Sequence, residues 1–388
     1  MKVLHVMGSG GGGSALTTLA LIEWLAERGV ASGVVCNDDT TPSDKRRIQD
    51  ALGGRAKFVP LYTWHKKLRA KPWKRPLLEL RQLTRSAFSL RSVGAIAHVA
   101  RRDGFELIHS SNMISPDGAK AARLLGLPHV WHLRELIGPG CPFQLPLAGE
   151  RLARYLRLRA AKIIANSRAT ANCLPALGGL VELIPNGLRV SDFQPSAPRS
   201  GPLVVAMVGS LAARWKRHDF FLKAIAKVAR RDVRFRIYGG VAPRSGDEYV
   251  RGLHEAARAL GLEARLEWRG HEDPRQIMAD IDILMHPATH ETFGRIVVEA
   301  MSAGLPVIGM NAGGVAELVV PGGTGFLFGE TDSAAVARCI DELATSPELR
   351  ARLGAAGRVR AEQHYSIDAS CGRILGVYKA LSPGHSQP

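Results

Sequence analysis

The sequence DILMHPATHETFGRIVVEAMSAGLPVIGM, residues 282–310, decides the fold. The run DILMHP predicts a buried strand, ETFG a loop, the residues from Gly294 onward a helix, and LPVIGM a second strand. A second glycine-rich turn, NAGGVAELV (311–319), comes after that strand. Two neighbouring strand ends therefore carry small residues and helix starts, and glycines clustered at strand ends indicate a close approach of the backbone to a ligand.

Two glutamates, Glu291 and Glu299, lie eight positions apart across this loop and helix. The free N–H groups and the dipole at the start of the helix favour a bound anion, and Gly294 has no side chain that would keep a phosphate from the backbone. Glu299 can accept hydrogen bonds from the two vicinal hydroxyls of a ribose, and Glu291 faces the group beyond the phosphates. Two such glutamates alone are more often a surface acid and a helix-dipole partner, but the adjacent glycine turns favour a site for a nucleoside diphosphate sugar.

The same alternation of strands and helices runs through the chain. It opens with KVLHV, the glycine loop GSGGGGSA and the helical stretch LTTLALIEWLAERG. Further strand candidates are SGVVC (32–36), ELIHS (106–110), HVWHL (129–133), AKIIA (161–165), VELIP (181–185), PLVVAMVG (202–209), FRIYGG (235–240) and RLEWRG (265–270). Residues 190–202, VSDFQPSAPRSGP, are typical of an interdomain linker, and the tail after Pro347 is mainly helical. We therefore predict an α/β protein with two doubly wound, Rossmann-like domains, 1–192 and 203–366, and a ligand site in a central cleft between the carboxyl edges of their strands.

The composition is that of an ordinary globular protein. The 388 residues are 46% hydrophobic and 22% charged, which excludes a disordered or fibrous chain. The five cysteines are scattered, so they predict neither a disulfide framework nor a zinc site, and a reducing cytosol is expected. Neither a signal-peptide core nor an apolar run of about 18 residues is found, so the protein is expected to be cytoplasmic, with peripheral attachment as the only membrane association.

The net charge of +17 is concentrated in one segment. Residues 62–102 contain eleven Lys or Arg against one acid, Glu79. Such a segment attracts anionic surfaces, and an anionic membrane at the inner face of the cell membrane is the expected partner. A solvated basic face remains an alternative. A nucleic-acid binder that stacks bases on Tyr62, Trp64 and Trp73 is another, less favoured because this charge lies beside the glycine-rich site and not in it.

Residues 282–328 resemble the donor-site signature of retaining glycosyltransferase family 4, which has the GT-B fold. The resemblance extends over nearly the whole chain except the basic segment. It includes MKVLHVMGSGGGGSALTTLA (1–20), LIPNGL (183–188) and VGSLAARWKRHDFFLKAI (208–225). It implies an N-terminal acceptor-binding domain, a C-terminal nucleotide-sugar-binding domain, and a final helix, 367–388, that packs back on the first domain.

The resemblance also implies residue roles. Glu299 would bind the ribose, Glu291 and the backbone of Phe293 and Gly294 would lie near the donor sugar and diphosphate, and Lys216 would neutralise the diphosphate. A lysine can stabilise the charge that develops on the leaving phosphate, so neither a metal nor a cofactor is expected beyond the nucleoside diphosphate sugar as co-substrate. The predicted catalytic residues are Glu291, Lys216 and His132, and the predicted donor-binding residues are Glu299, Phe293, Gly294, Arg295, Gly11, Gly12, Gly13, Ser210 and Arg214.

Two positions fit the family pattern less closely. Ser210 stands where the family often has arginine. Either Arg214 or Arg217 substitutes for that arginine, or the affinity for the donor is lower. In HVWHLREL (129–136), His132 corresponds to a histidine that the family has close to the transferred sugar. Arg134 and Glu135 beside it are candidates for binding the acceptor, either a sugar or a lipid-linked intermediate.

A dehydrogenase is the alternative from another class. Gly8, Gly10 and Gly13 satisfy G-x-G-x-x-G between a strand and a helix, and Asp38 follows the second strand, as in an NAD(P)-binding fold. However, a nicotinamide enzyme has no need of the paired glutamates and the glycine turns of the second half.

Overall fold

The computed structural model describes residues 1–64, 75–138, 141, 144–195, 201–240 and 247–382, and for residues 75–88 and 247 it describes the backbone alone. The chain forms two compact units. The first contains Met1–Gly187 and Ile367–Pro388, and the second contains Leu188–Ser366.

The first unit is built on a parallel sheet, with seven strands among the described residues. The strands are β1 (Lys2–Met7), β2 (Ala31–Asn37), β3 (Ala56–Val59), β4 (Leu107–Ser110), β5 (His129–Leu133), β6 (Lys162–Ala165) and β7 (Val181–Leu183). Their order is β3-β2-β1-β4-β5-β6-β7. β4 and β5 are buried along their whole length, as expected for central strands of a sheet covered on both faces.

Helices cover this sheet. They are α1 (Gly12–Ala26), α2 (Pro42–Leu52), α3 (Arg75–Arg102), α4 (Asp117–Leu125), α5 (Gly149–Arg157), α6 (Arg168–Ala171) and, from the end of the chain, α14 (Ile367–Leu381). Apolar packing and hydrogen bonds attach α14 to this unit. For example, the Tyr378 hydroxyl bonds Nδ1 of His109 on β4, and Trp24 Nε1 on α1 donates to Asp368 Oδ1 at 2.6 Å.

The second unit has the same construction, with six parallel strands among its described residues. They are β8 (Val204–Val208), β9 (Arg234–Tyr238), β10 (Leu266–Gly270), β11 (Ile283–His286), β12 (Val307–Met310) and β13 (Gly325–Phe328), in the order β10-β9-β8-β11-β12-β13. The helices are α7 (His218–Ile225), α8 (Asp247–Ala259), α9 (Pro274–Ala279), α10 (Arg295–Ser302), α11 (Val315–Leu318), α12 (Ser333–Thr345) and α13 (Pro347–Tyr365).

Side chains of β8 show how the second sheet is covered on both faces. Val205 and Met207 pack in one apolar layer, which also contains residues of α7, α8 and α12. Val204 and Ala206 pack in the opposite layer with residues of α9, α10 and α11. This alternation follows from the period of two in a strand, and it gives the doubly wound arrangement that the sequence predicts.

The boundary between the units differs from the predicted one. The predicted first domain ends at residue 192, whereas the first unit ends at Gly187. The reason is packing, because Leu188, Val190 and Phe193 are buried in the apolar layer that also contains residues of α10.

Within the described ranges, no helix combines the length and apolar composition that a bilayer crossing requires.

Candidate functional site

The carboxyl ends of β11 and β12 bring the glutamate loop and the glycine turn together. The amide of Gly314 donates to the carbonyl oxygen of Glu291 at 2.9 Å. Gly313 has a φ of 55°, and a Cβ there would overlap that same oxygen. The glycine turn 311–314 is therefore what allows the loop carrying Glu291 to lie against it.

A second loop, after β8, brings Lys216 to Glu291. Residues Arg214–Lys216 form a 3₁₀ turn, and Arg217 then adopts a left-handed φ of 61° before α7 begins. The amide of Thr289 donates to the Trp215 carbonyl at 3.0 Å, which joins this turn to the glutamate loop. Lys216 Nζ forms an ion pair with Glu291 Oε2.

Glu291 has another partner that the sequence did not indicate, His286 at the end of β11. His286 Nε2 lies 3.2 Å from the same oxygen, Glu291 Oε2. Burial acts to raise the pKa of Glu291, but the charge of Lys216 and the hydrogen bonds from His286 and Lys216 hold it well below the usual carboxyl range. Glu291 is therefore an anion at all physiological pH values.

Glu299 lies in the second turn of α10 and is only 2% exposed. Arg295 Nε donates to its Oε1 at 2.7 Å. Burial raises the pKa of Glu299, and the charge of Arg295 opposes that rise. Glu291 and Glu299 thus both lie near the start of α10, but they pair with different cations. Lys216 pairs with Glu291, and Arg295 pairs with Glu299.

The first turn of α10 offers hydrogen-bond donors. Gly294 precedes the helix with a left-handed φ of 95°. The amides of Arg295 and Ile296 form no hydrogen bond with any residue that the structure describes. These free N–H groups and the positive end of the helix dipole suit an anion, whereas the Phe293 ring is buried against Tyr365, so only its backbone is available to a ligand.

Arg214 and Arg217, the candidates to replace the arginine that the family often has at position 210, lie close to Lys216 in the chain. Ser210 is exposed at the end of β8. The Arg214 guanidinium lies 4.9 Å above the ring of Tyr249, and Arg217 Nε is 3.5 Å from Asp219. Arg214 is thus held by a cation–π contact on the turn that carries Lys216.

In the first unit, the glycine loop after β1 leads into α1. Gly11 precedes the helix in an extended conformation, and Gly12 has a left-handed φ of 77°. Gly12 and Gly13 are exposed, and their amides form no hydrogen bond with residues in the described part of the chain. The amides of Gly12 and Gly13 are thus available to a ligand, and their role in donor binding stays a prediction.

His132, near the end of β5, belongs to a row of buried histidines. Its ring stacks on that of His109 with 5.4 Å between centroids and 7° between planes, and His5 lies on the other side of His109. Neither ring nitrogen of His132 has a hydrogen-bond partner among the described residues. Burial and the charge of Arg134 hold the pKa of His132 well below 6.5, so its ring is neutral at pH 7.

The two neighbours of His132 are also buried. Arg134 Nη1 donates to the Ser14 carbonyl and to Thr18 Oγ1, both at 2.8 Å, which connects β5 to the first turns of α1. Glu135 Oε2 accepts from the amides of Met113 at 3.0 Å and Arg134 at 3.3 Å. Burial nevertheless raises the pKa of Glu135 to about 7.

For most of the basic segment 62–102, the structure does not describe the side chains. Of its eleven Lys and Arg residues, Arg91, Arg101 and Arg102 are the three whose side chains are described, and they are exposed. Trp64 is only 5% exposed, stacks on Trp131 and donates from Nε1 to the Met113 carbonyl at 2.6 Å. The less favoured alternative, in which Trp64 stacks on bases, does not fit this position, because the Trp64 ring belongs to the core.

Known proteins resemble this chain over most of its length. Residues 11–192 match Glycosyltransferase Family 4, and residues 189–360 match Glycosyl transferases group 1. The chain is 31% identical over 223 residues to a D-inositol 3-phosphate glycosyltransferase of Streptomyces scabiei, covering 53% of this chain and 50% of that protein, so it spans about half the length of this relative. It is 30% identical to a GDP-mannose-dependent alpha-mannosyltransferase of Mycobacterium tuberculosis, covering 71% of this chain and 73% of the relative. The crystal structure of Anabaena HepE in complex with UDP superposes with a TM-score of 0.79 and 24% identity, covering 98% of this chain and all of that one.

Two Rossmann-like units with these matches define a glycosyltransferase of GT-B fold. The chain belongs to glycosyltransferase family 4. The predictions of fold and family are confirmed, and this assignment replaces the dehydrogenase and nucleic-acid alternatives.

Proposed function

We propose that this enzyme is a retaining hexosyltransferase that moves a sugar from a UDP- or GDP-sugar to an acceptor hydroxyl. The observation that carries the proposal is the Lys216–Glu291 ion pair beside the free amides of α10. The relatives support either a uridine or a guanosine donor, since the Anabaena protein was crystallised with UDP and the mycobacterial relative is named for GDP-mannose.

The leaving diphosphate explains the cations and amides. Cleavage of the bond between the sugar and the β-phosphate leaves negative charge on the phosphate oxygens. Lys216 and the amides of Arg295 and Ile296 stabilise that charge without moving far, because the turn and the helix start are fixed by the backbone bonds described above. Glu299 accepts hydrogen bonds from the ribose hydroxyls, and Glu291 binds hydroxyls of the transferred sugar.

The proposal extends to the stereochemistry and the acceptor. Lys216 pairs with Glu291 and Arg295 with Glu299, and the family resemblance favours transfer without a covalent glycosyl-enzyme intermediate. The acceptor then attacks from the face that the diphosphate leaves, and a diphosphate oxygen takes the acceptor proton, so the anomeric configuration is retained. His132 remains a predicted catalytic residue, and the basic segment 62–102 favours a lipid-linked or polysaccharide acceptor at the inner face of the cell membrane.

A donor screen tests this function. Hydrolysis and thermal stabilisation are measured with UDP-, GDP-, ADP- and TDP-sugars and with NAD. We expect turnover with at least one UDP- or GDP-sugar, and a product whose NMR anomeric coupling matches that of the donor. Stabilisation by NAD alone would refute the proposal.

Variants at the ion pair give a second test. Lys216→Ala should lower kcat by about 100-fold or more, because one preformed charge on the leaving group is lost. Lys223→Ala is the control, since Lys223 is an exposed lysine on α7 of the same unit. Equal activities of the two variants would contradict the role of Lys216.

A further inference from the structure

His286 is a buried histidine at the end of an otherwise apolar strand. It is fully buried on β11, between β8 and β12, and its register partner on β12 is Gly309. Such a position in a central strand is normally occupied by an aliphatic residue. A polar ring there requires a partner, and the partner is Glu291.

The hydrogen bond has a defined direction. An ionised carboxylate can only accept, so the hydrogen between His286 Nε2 and Glu291 Oε2 must be on the histidine. Nδ1 has no partner among the residues that the structure describes, as fits the unprotonated nitrogen. Oε2 thus receives Lys216 and His286 together, and no described residue donates to Oε1.

Three charged or titratable groups face this ring: Glu291, Lys216 and His218. Burial lowers the pKa of His286, although the hydrogen bond to Glu291 opposes this effect. The ring is therefore neutral at pH 7. It donates to Glu291 without adding a second positive charge beside Lys216.

We propose that His286 is the positioning residue for Glu291, which it holds in place when Lys216 turns to the diphosphate of the donor. This inference rests on the proposed function. Lys216 has to serve two anions, the Glu291 carboxylate before the donor binds and the diphosphate afterwards. With Lys216 engaged by the phosphates, His286 keeps Oε2 fixed and Oε1 directed to the sugar hydroxyls.

Two substitutions of similar size separate hydrogen bonding from packing. Gln at position 286 can place an amide N–H where Nε2 lies, whereas Met fills the same space without a donor. We expect His286→Met to lower kcat by about 10- to 100-fold, the effect of losing a hydrogen bond to a charged group, with little change in the donor KM. His286→Gln should restore most of kcat.

The pH profile gives a second kinetic readout. Without its imidazole donor, Glu291 takes up a proton at a higher pH once Lys216 is engaged. The acidic limb of the kcat profile of His286→Met should therefore move to higher pH than in the wild type or in His286→Gln. Equal losses in both variants, or an unchanged acidic limb in His286→Met, would overturn the proposal.

A third measurement does not depend on turnover. Nitrogen-15 NMR of the ligand-free protein should show a neutral His286 ring protonated on Nε2 at pH 7. A ring that is protonated on Nδ1, or charged, would overturn the assignment even in an active enzyme. Conversely, a wild-type protein with this tautomer but without activity on any nucleotide sugar would refute the proposed function, and with it the role of His286 in transfer.

Discussion

Glu291 and Glu299 lie near the start of the same helix, yet their surroundings shift their pKa values in opposite directions. Glu291 shares one oxygen between an ammonium and an imidazole, which keeps its pKa low. Glu299 has one guanidinium partner and is almost fully buried, so its pKa is raised. Glu291 is thus an anion near pH 7, whereas burial and the charge of Arg295 act on the pKa of Glu299 in opposite directions.

Glu135 gives a residue-scale prediction about pH. Its pKa is about 7 in the folded protein against 4.5 for an ordinary glutamate. At a pH between these two pKa values, the folded state binds more protons than the unfolded state. The contribution of Glu135 to the free energy of unfolding therefore falls as the pH rises. Relative to Glu135→Gln, the wild-type free energy of unfolding should fall by roughly 3 kcal/mol between about pH 4.5 and 8, at 1.36 kcal/mol per pKa unit.

Urea unfolding of both proteins at several pH values tests this. The glutamine oxygen can still accept from the Met113 and Arg134 amides, so the substitution should leave the local structure intact. The other titrating groups are common to both proteins, and the difference between them isolates Glu135. A difference that does not vary with pH would contradict the raised pKa.

At this scale the sequence predicted the glutamates and Lys216 but not His286. The pair and the lysine lie in loops and helix starts, where charged residues stand out from their neighbours. His286 lies in the apolar run DILMHP, and periodicity does not distinguish a buried donor from a structural core histidine. Only the 3.2 Å contact with Glu291 identifies it.

At the scale of elements, the sequence analysis missed two strands, β3 and β13. Both lie at the edge of their sheet. Val59 is the one buried residue of β3, and β13 begins with Gly325. Edge strands have one unpaired side and can carry a weak apolar pattern, as β3 and β13 do. The sequence did predict the other two edge strands, β7 and β10, and every central strand.

Helix α10 gives the prediction at the element scale. In Gly294→Ala, the left-handed φ of 95° would be strained, and the new Cβ would lie 3.2 Å from Leu318 Cδ1 and 3.3 Å from Val315 Cγ2. We expect a loss of about 2 kcal/mol in the free energy of unfolding, because conformational strain and crowding add. The binding of a nucleoside diphosphate should weaken as well, since the displaced backbone carries the free amides.

Gly322→Ala is the matched control. Gly322 has a φ of 70°, but no atom lies within 4 Å of the position of its Cβ. This variant should therefore lose only about 1 kcal/mol, the cost of the left-handed conformation, and bind nucleotide like the wild type. Urea unfolding and calorimetric titration with UDP and GDP measure both effects. If the two variants bind nucleotide with equal affinity, Gly294 does not contribute to nucleotide binding.

For the whole molecule, the buried histidines determine the response to acid. The pKa values of His5 and His129 are lowered to about 3, and those of His109 and His132 lie well below 6.5, in each case chiefly through burial. The unfolded chain takes up these protons from pH 6.5 downward and the folded chain does not, so stability falls as the pH drops below 6.5. Protonation of Glu135 opposes this loss, but it is a single group against four.

The two units should therefore differ in acid sensitivity. All four of these histidines lie in the first unit, whereas His218, with a pKa lowered to about 4, and His286 are their counterparts among the described residues of the second. Amide hydrogen exchange, compared at about pH 7 and 5 after correction for the intrinsic rate, should show a larger loss of protection in β1, β4 and β5 than in β8, β11 and β12. His129→Gln should reduce that loss, because glutamine does not titrate, and its amide can still bond the Ser110 hydroxyl that His129 contacts at 2.9 Å. Equal loss in both sheets would mean that the histidines of the first unit do not control its stability in acid.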